Sequence, residues 1–143
     1  MQLTRAADYG VRVLIHLADV DSNVRSSLTG LAEVAEVRPA FLSKVLQKLV
    51  QGGLVASKRG KRGGFALLPR GRSATLFEIL LALDGVPELN LCLMAGGCQR
   101  SAWCAAHPVW REAQDRMREV LSSVTLEQLA ARSRDVRARI LES

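Results

Sequence analysis

Apolar residues recur at helical spacing through the first fifty positions and predict three amphipathic helices, over residues 6–19, 28–36 and 40–51. Thr4 stands where the first helix needs an N-cap. Pro39 suits the start of the third helix, and Gly52 and Gly53 suit its end. The inward positions of the three helices are Ala6, Tyr9, Val13, Leu14, Leu17, Leu31, Val34, Ala35, Leu42, Val45, Leu46 and Leu49. Two short helices joined by a tight turn are typical of a helix-turn-helix.

A basic, glycine-rich hairpin follows the third helix. Residues 54–58 and 65–68 have strand character, and the sequence RGKRGG at 59–64 is a turn whose glycines allow a sharp reversal. A hairpin after a helix-turn-helix predicts a winged helix, with the hairpin as the wing.

The second half of the chain is predicted as a helix over 75–84, an aperiodic segment over 85–105, a long helix over 108–123 and a short helix over 125–131. The Arg-rich end is expected to be mobile. The long helix has an apolar stripe typical of a helix packed along a partner: Trp110, Ala113, Met117, Val120, Leu121 and Val124. The predicted fold is therefore mainly α with a two-stranded β wing. We divide it into a winged helix-turn-helix domain (1–84), a cysteine loop (85–107) and a dimerisation helix with a C-terminal tail (108–143).

Charge is distributed unevenly between the first and the second half of the chain. Residues 1–72 hold 12 Lys/Arg against 5 Asp/Glu, a net of +7, whereas residues 73–143 hold 8 against 9, a net of −1. A basic half joined to a neutral half favours a phosphate-binding module, although a solvated basic surface or a charged edge hairpin remains open. The candidate DNA contacts are Arg38, Ala40, Phe41, Ser43, Lys44, Lys48, Lys58, Arg59, Lys61 and Arg62.

The cysteine loop carries the candidate metal ligands. Cys92, Cys98 and Cys104 are separated by two five-residue gaps, and His107 lies one helical turn after the last. Thiolates hold iron–sulfur clusters and histidine can replace some of them, whereas structural zinc favours shorter gaps. Asp8 is a further candidate ligand, because a dimer could bring the first helix of one subunit to the loop of the other. Zinc, or three unrelated buried cysteines, remain the alternatives.

Composition narrows the class of protein. No apolar run is long enough to span a membrane, and residues 1–10 lack a secretory signal pattern, so we expect a cytoplasmic protein with reduced thiols. No C-x-x-C pair, nucleotide-binding loop or paired acid and base accompanies the cysteines, so a thiol-based enzyme is disfavoured. A cluster-carrying scaffold would leave the basic wing unexplained.

These motifs together resemble the Rrf2 family of bacterial winged-helix regulators. The resemblance covers LTRAADYGVRVLIHLA at the start, FLSKVLQKLVQGGLVASKRGKRGGFAL through the third helix and wing, and the cysteine loop with its following helix. GGCQ at 96–99, followed by Cys104, His107 and Trp110, is similar to the branch that regulates iron–sulfur biogenesis.

The resemblance implies a homodimer built on the long helix and a palindromic DNA operator. Our hypothesis is a dimeric transcription regulator whose DNA affinity depends on the cluster. In the biogenesis branch, three cysteines and the following histidine hold a 2Fe–2S cluster, which points to Cys92, Cys98, Cys104 and His107. LTRAADYG is more similar to a nitric-oxide-sensing repressor branch, where an aspartate at the place of Asp8 reaches a 4Fe–4S cluster across the dimer. The residues around Cys98 favour His107 and a 2Fe–2S cluster, with Asp8 and 4Fe–4S as the alternative.

Overall fold

The computed structural model describes residues 2–143 and contains, within them, seven α-helices and one two-stranded sheet. The helices are α1 (Arg5–Asp19), α2 (Leu28–Ala35), α3 (Pro39–Gln51), α4 (Pro69–Ser73), α5 (Leu76–Asp84), α6 (His107–Ser122) and α7 (Leu126–Glu142). The strands are β1 (Val55–Lys58) and β2 (Gly64–Leu67). The predicted fold class, a mainly helical winged helix-turn-helix, is confirmed.

Local capping explains where several helices begin. The Thr4 hydroxyl accepts a hydrogen bond from the Ala7 N–H at the start of α1, and Ser27 does the same for α2. Thr75 forms a capping box with Glu78 at α5, and Thr125 forms one with Gln128 at α7. The turn between α2 and α3 places Glu36 in the left-handed region (φ 56°), which reverses the chain before Pro39.

The core lies where α1, α2, α3 and α5 meet, and the predicted inward stripe of α3 forms its centre. Its largest fully buried side chains are Leu14, Leu31, Leu42, Leu46, Leu49, Leu54, Ile79, Leu80, Leu83 and Leu126. Val34, predicted to face inward, is 37% exposed. The packing of these helices holds α3 by its buried face.

The wing is an antiparallel hairpin that is tied back to the domain. Val55 pairs with Leu67 and Lys58 with Gly64, which places residues 59–63 at the tip. Ser26, in the segment before α2, exchanges two backbone hydrogen bonds with Phe65, of 2.9 and 2.8 Å. This contact anchors the base of the wing, because it adds a partner on the free edge of β2.

The structure differs from the prediction at one helix that was missed and at one helix boundary. The pattern did not predict α4, a five-residue helix begun by Pro69. The short helix predicted over 125–131 continues to Glu142, so the Arg-rich end, which we expected to be mobile, is part of α7. Leu126 and Ala130 are buried against the domain, and Arg134 and Arg137 both contact the Asp19 carboxylate at the end of α1, at 2.6 and 3.1 Å. The extension is therefore stabilised by tertiary contacts with α1 that the local sequence does not reveal.

Candidate nucleic-acid interface and candidate metal centre

The outer face of α3 carries the side chains predicted to contact DNA. Ala40 and Lys44 are exposed and Ser43 is half-buried, on the side opposite the Leu42–Leu49 stripe, and Arg38 is exposed at the N-cap of the helix. Because α3 is held by its buried face, this outer face keeps a defined orientation. The position of α3 as the second helix of the pair is that of the recognition helix, which lies in the major groove of DNA in helix-turn-helix proteins.

Two residues of the same helix have additional contacts inside the domain. The Lys48 ammonium donates a 2.8 Å hydrogen bond to the Leu83 carbonyl, one of the last carbonyls of α5. The Phe41 ring packs edge-on against Tyr9 of α1, with centroids 5.8 Å apart, and remains 38% exposed. Lys48 therefore caps α5, and Phe41 offers only part of its ring to an outside partner.

The wing presents its four predicted cations to solvent. Lys58, Arg59, Lys61 and Arg62 are all exposed, around a tip in which Gly60 has a φ of 103°. A Cβ on Gly63 would lie 2.1 Å from the Lys58 carbonyl oxygen, so the tip closes only with glycine there. A groove of about 350 Å³ separates the wing from α3 and includes Ser43, Gln47, Ser57, Lys58 and Arg59. These polar donors suit a nucleic-acid backbone.

The three cysteines lie on the cysteine loop, between the end of α5 and the start of α6, and all are free thiols. Cys92 is in a short 3₁₀ turn and is half-buried, Cys98 is exposed, and Cys104 is half-buried. Positive φ angles at Gly96 (94°) and Gly97 (56°) produce the bend before Cys98. The three thiols are therefore available as soft ligands.

His107 is the first residue of α6 and is 8% exposed. Its Nε2 lies 3.1 Å from Nη2 of Arg111, one turn along the helix. Its Nδ1 is buried and has no hydrogen-bond partner among the described residues. A buried polar atom without a partner is costly, and such atoms often mark functional sites.

A cavity of about 490 Å³ lies between the cysteine loop and α6. Cys92 and His107 line it together with Arg111, while Cys98 and Cys104 are not part of its wall. Within residues 2–143, no three His, Cys, Asp or Glu side chains come close enough to hold a metal ion. The donor chemistry (three free thiols and an imidazole with an unpartnered nitrogen) suits an iron–sulfur cluster, but the donors are not assembled in this conformation.

Asp8 occupies a different place. It lies in the first turn of α1, is 61% exposed at its side chain, and pairs with Arg12 at 2.9 Å. Arg12 also lies over the Tyr9 ring at 5.7 Å. Within one chain, the structure therefore does not bring Asp8 into the cavity beside Cys92.

Gln114 is a positioning residue that the sequence patterns did not single out. Its amide oxygen accepts a 2.8 Å hydrogen bond from the Leu89 N–H, and its amide nitrogen donates one of 2.8 Å to the Pro87 carbonyl. Gln114 thereby fastens the beginning of the cysteine loop to α6. A lone glutamine on a helix has no sequence signal for such a role.

A helical core with a helix-turn-helix and a basic wing defines a winged-helix DNA-binding protein. The chain belongs to the Rrf2 family, described as iron-dependent transcriptional regulators, which matches residues 3–132. It is therefore a transcription regulator rather than a member of an enzyme family.

Similar proteins agree with this assignment. The transcriptional regulator IscR of Cronobacter sakazakii is 32% identical over 132 residues, covering 90% of this chain and 80% of IscR. The structure of CymR, the global cysteine regulator of B. subtilis, has a TM-score of 0.71 and 28% identity, covering 92% of this chain and 97% of CymR. The IscR structure from T. potens (TM-score 0.73, 24% identity, covering 93% and 88%) supports the fold. Within residues 2–143, no helix is long and apolar enough to cross a membrane.

Proposed function

We propose that this chain is an IscR-like regulator whose affinity for DNA depends on an iron–sulfur cluster. Cys92, Cys98, Cys104 and His107 would hold the cluster, with 2Fe–2S favoured over 4Fe–4S and with Asp8 of a second subunit as the alternative fourth ligand. The observation that carries the proposal is the His107 Nδ1, buried without a partner beside the cavity that Cys92 also lines. When bound, the cluster would supply a removable cross-link between these donors and a centre sensitive to iron supply or redox state.

The dispersed donors suggest how such a site could regulate. Cys98 and Cys104 lie outside the cavity wall, so ligation by all three cysteines requires the loop to close toward α6. The loop follows directly from α5, and Lys48 joins the end of α5 to the recognition helix α3. Loop closure would therefore shift both α6 and α3. Cluster binding would in this way favour one of two conformations of the domain.

A homodimer completes this proposal. The apolar stripe predicted for the long helix is largely uncovered within one chain: Trp110 is 43% exposed and Val120 is 66% exposed. A second copy packed along α6 would cover that stripe, since exposed apolar rows on a helix suit a partner helix. Two recognition helices at a fixed separation would then read a palindromic operator, and a small shift of α6 would change their spacing.

The first experiment is anaerobic reconstitution followed by operator footprinting. We expect visible charge-transfer absorption, iron and sulfide bound to the protein, and a footprint that changes when the cluster is removed. Stoichiometric zinc without such absorption would contradict the proposal. His107→Ala and Asp8→Ala separate the two fourth ligands: an intact cluster spectrum in the first variant with loss in the second would assign Asp8 and support the nitric-oxide-sensing alternative.

A companion measurement tests the wing. Arg59→Ala should weaken operator binding and reduce the slope of log affinity against log salt by about 2, because each of the two subunits would lose one phosphate contact and each contact releases about one counterion. An unchanged slope would show that Arg59 does not contact phosphate.

A second candidate is a winged-helix regulator that works without a cluster. The separation of the free cysteines within residues 2–143, and the similarity to CymR, favour it. It predicts the same operator footprint for the reconstituted and the metal-free protein.

A further inference from the structure

The contact between Arg111 and His107 determines which imidazole nitrogen carries the proton. A guanidinium has five N–H donors and no acceptor. A hydrogen bond from Arg111 Nη2 to His107 Nε2, at 3.1 Å, therefore requires a lone pair on Nε2. In a neutral ring the proton then lies on Nδ1, which is the buried nitrogen without a partner in the described chain.

Either nitrogen of His107 could bind iron only after this contact is broken. Ligation through Nε2 uses the lone pair that Arg111 occupies. Ligation through Nδ1 moves the proton to Nε2, where an N–H would then face the N–H donors of Arg111. Both routes exclude the observed pair, because two donors cannot share one hydrogen bond.

We propose that Arg111 masks His107 as a metal ligand in the cluster-free protein and leaves it when metal binds. This inference rests on the proposed function, since it concerns the same ligand. The cavity offers the departing guanidinium other partners: Asp115 lies one turn further along α6, and Glu88, near the start of the cysteine loop, also lines the cavity. Arg111 is thus a positioning residue whose loss should strengthen, not weaken, metal binding.

The histidine tautomer tests the pairing without any metal. The chain has only two histidines, so His107→Ala identifies the His107 signals in a nitrogen-15 NMR spectrum of the ring. In metal-free protein we expect Nδ1–H for His107, and we expect Arg111→Met to shift the ring toward Nε2–H. Arg116→Met is the matched control, because Arg116 lies on the same helix, pairs with Glu112 at 3.9 Å and does not line the cavity. An Nε2–H ring in the unaltered protein, or a ring unchanged by Arg111→Met, would overturn the inference.

Metal affinity tests the consequence, with Co²⁺ as the probe because it binds thiolate and imidazole ligands. In anaerobic titrations, Arg111→Met should bind Co²⁺ about tenfold more tightly than the unaltered chain, the equivalent of losing one competing charge-assisted hydrogen bond. The same change made together with His107→Ala should have no effect relative to His107→Ala alone. Weaker or equal binding in Arg111→Met, an equal gain without His107, or no Co²⁺ binding at all would refute the masking role.

The two failures are distinguishable. If reconstitution yields no iron–sulfur cluster, the proposed function fails, but the tautomer and the Co²⁺ affinities still decide whether Arg111 masks His107. If a cluster forms and the Arg111 variants behave like the unaltered chain, only the masking role fails.

Discussion

Gln114→Ala should release the start of the cysteine loop from α6. The change removes two hydrogen bonds of 2.8 Å, one from the Leu89 N–H and one to the Pro87 carbonyl. Both are partly buried, and a net contribution of about 1 kcal/mol each gives a local loss of about 2 kcal/mol. This loss corresponds to roughly thirtyfold faster exchange of the Leu89 amide with solvent, since about 1.4 kcal/mol is a factor of ten.

Hydrogen exchange followed by NMR at the Leu89 amide measures this effect directly. Gln114→Glu keeps an acceptor for that amide but removes the donor to Pro87, so an intermediate rate is expected. Gln99→Ala is the matched control, because Gln99 belongs to the same loop and is exposed. Exchange at Leu89 within twofold of the unaltered protein in Gln114→Ala would refute the idea that Gln114 holds the loop.

The remaining predictions concern contacts that join the helices. Lys48→Met should lower the free energy of unfolding by about 1 kcal/mol, through the lost hydrogen bond to Leu83, and leave the salt slope of operator binding unchanged. Lys44→Met on the exposed outer face should leave the free energy of unfolding unchanged and reduce the slope by about 2, one contact from each subunit. A reduced slope in Lys48→Met would show that Lys48 contacts phosphate. Asp19→Asn breaks both ion pairs between α1 and α7, so urea unfolding should show a loss of about 1 kcal/mol that shrinks in 1 M salt. An equal loss at low and high salt would exclude an electrostatic contribution.

The helix-turn-helix could be predicted because its signals are local. Leu42, Val45, Leu46 and Leu49 occupy one side of α3, and Gly53 has the positive φ (73°) that the chain needs after the helix. The wing could be predicted from two short segments of strand character on either side of a glycine-rich turn, and its strands lie within one residue of the predicted bounds. The extent of α7 could not be predicted in this way, because Asp19, its ion-pair partner, is more than a hundred residues away.

The candidate metal centre was only partly predictable. The number and spacing of Cys92, Cys98, Cys104 and His107 are properties of the sequence, and they indicate a donor set for soft metals. Whether these donors meet depends on the path of the loop, and the structure leaves Cys98 exposed while burying His107. Spacing limits how far apart two ligands can be, but it does not determine which way they point.

The sequence by itself therefore determined the class of fold, the basic wing and the identities of the candidate ligands, because residue type and periodicity encode these features locally. Tertiary structure alone decided that Gln114 fastens the loop, that the His107 side chain is buried, and that Lys48 caps α5 beside the recognition helix. These contacts depend on the distance and direction between side chains, and only the packing of α3, α5 and α6 and the path of the loop set those quantities.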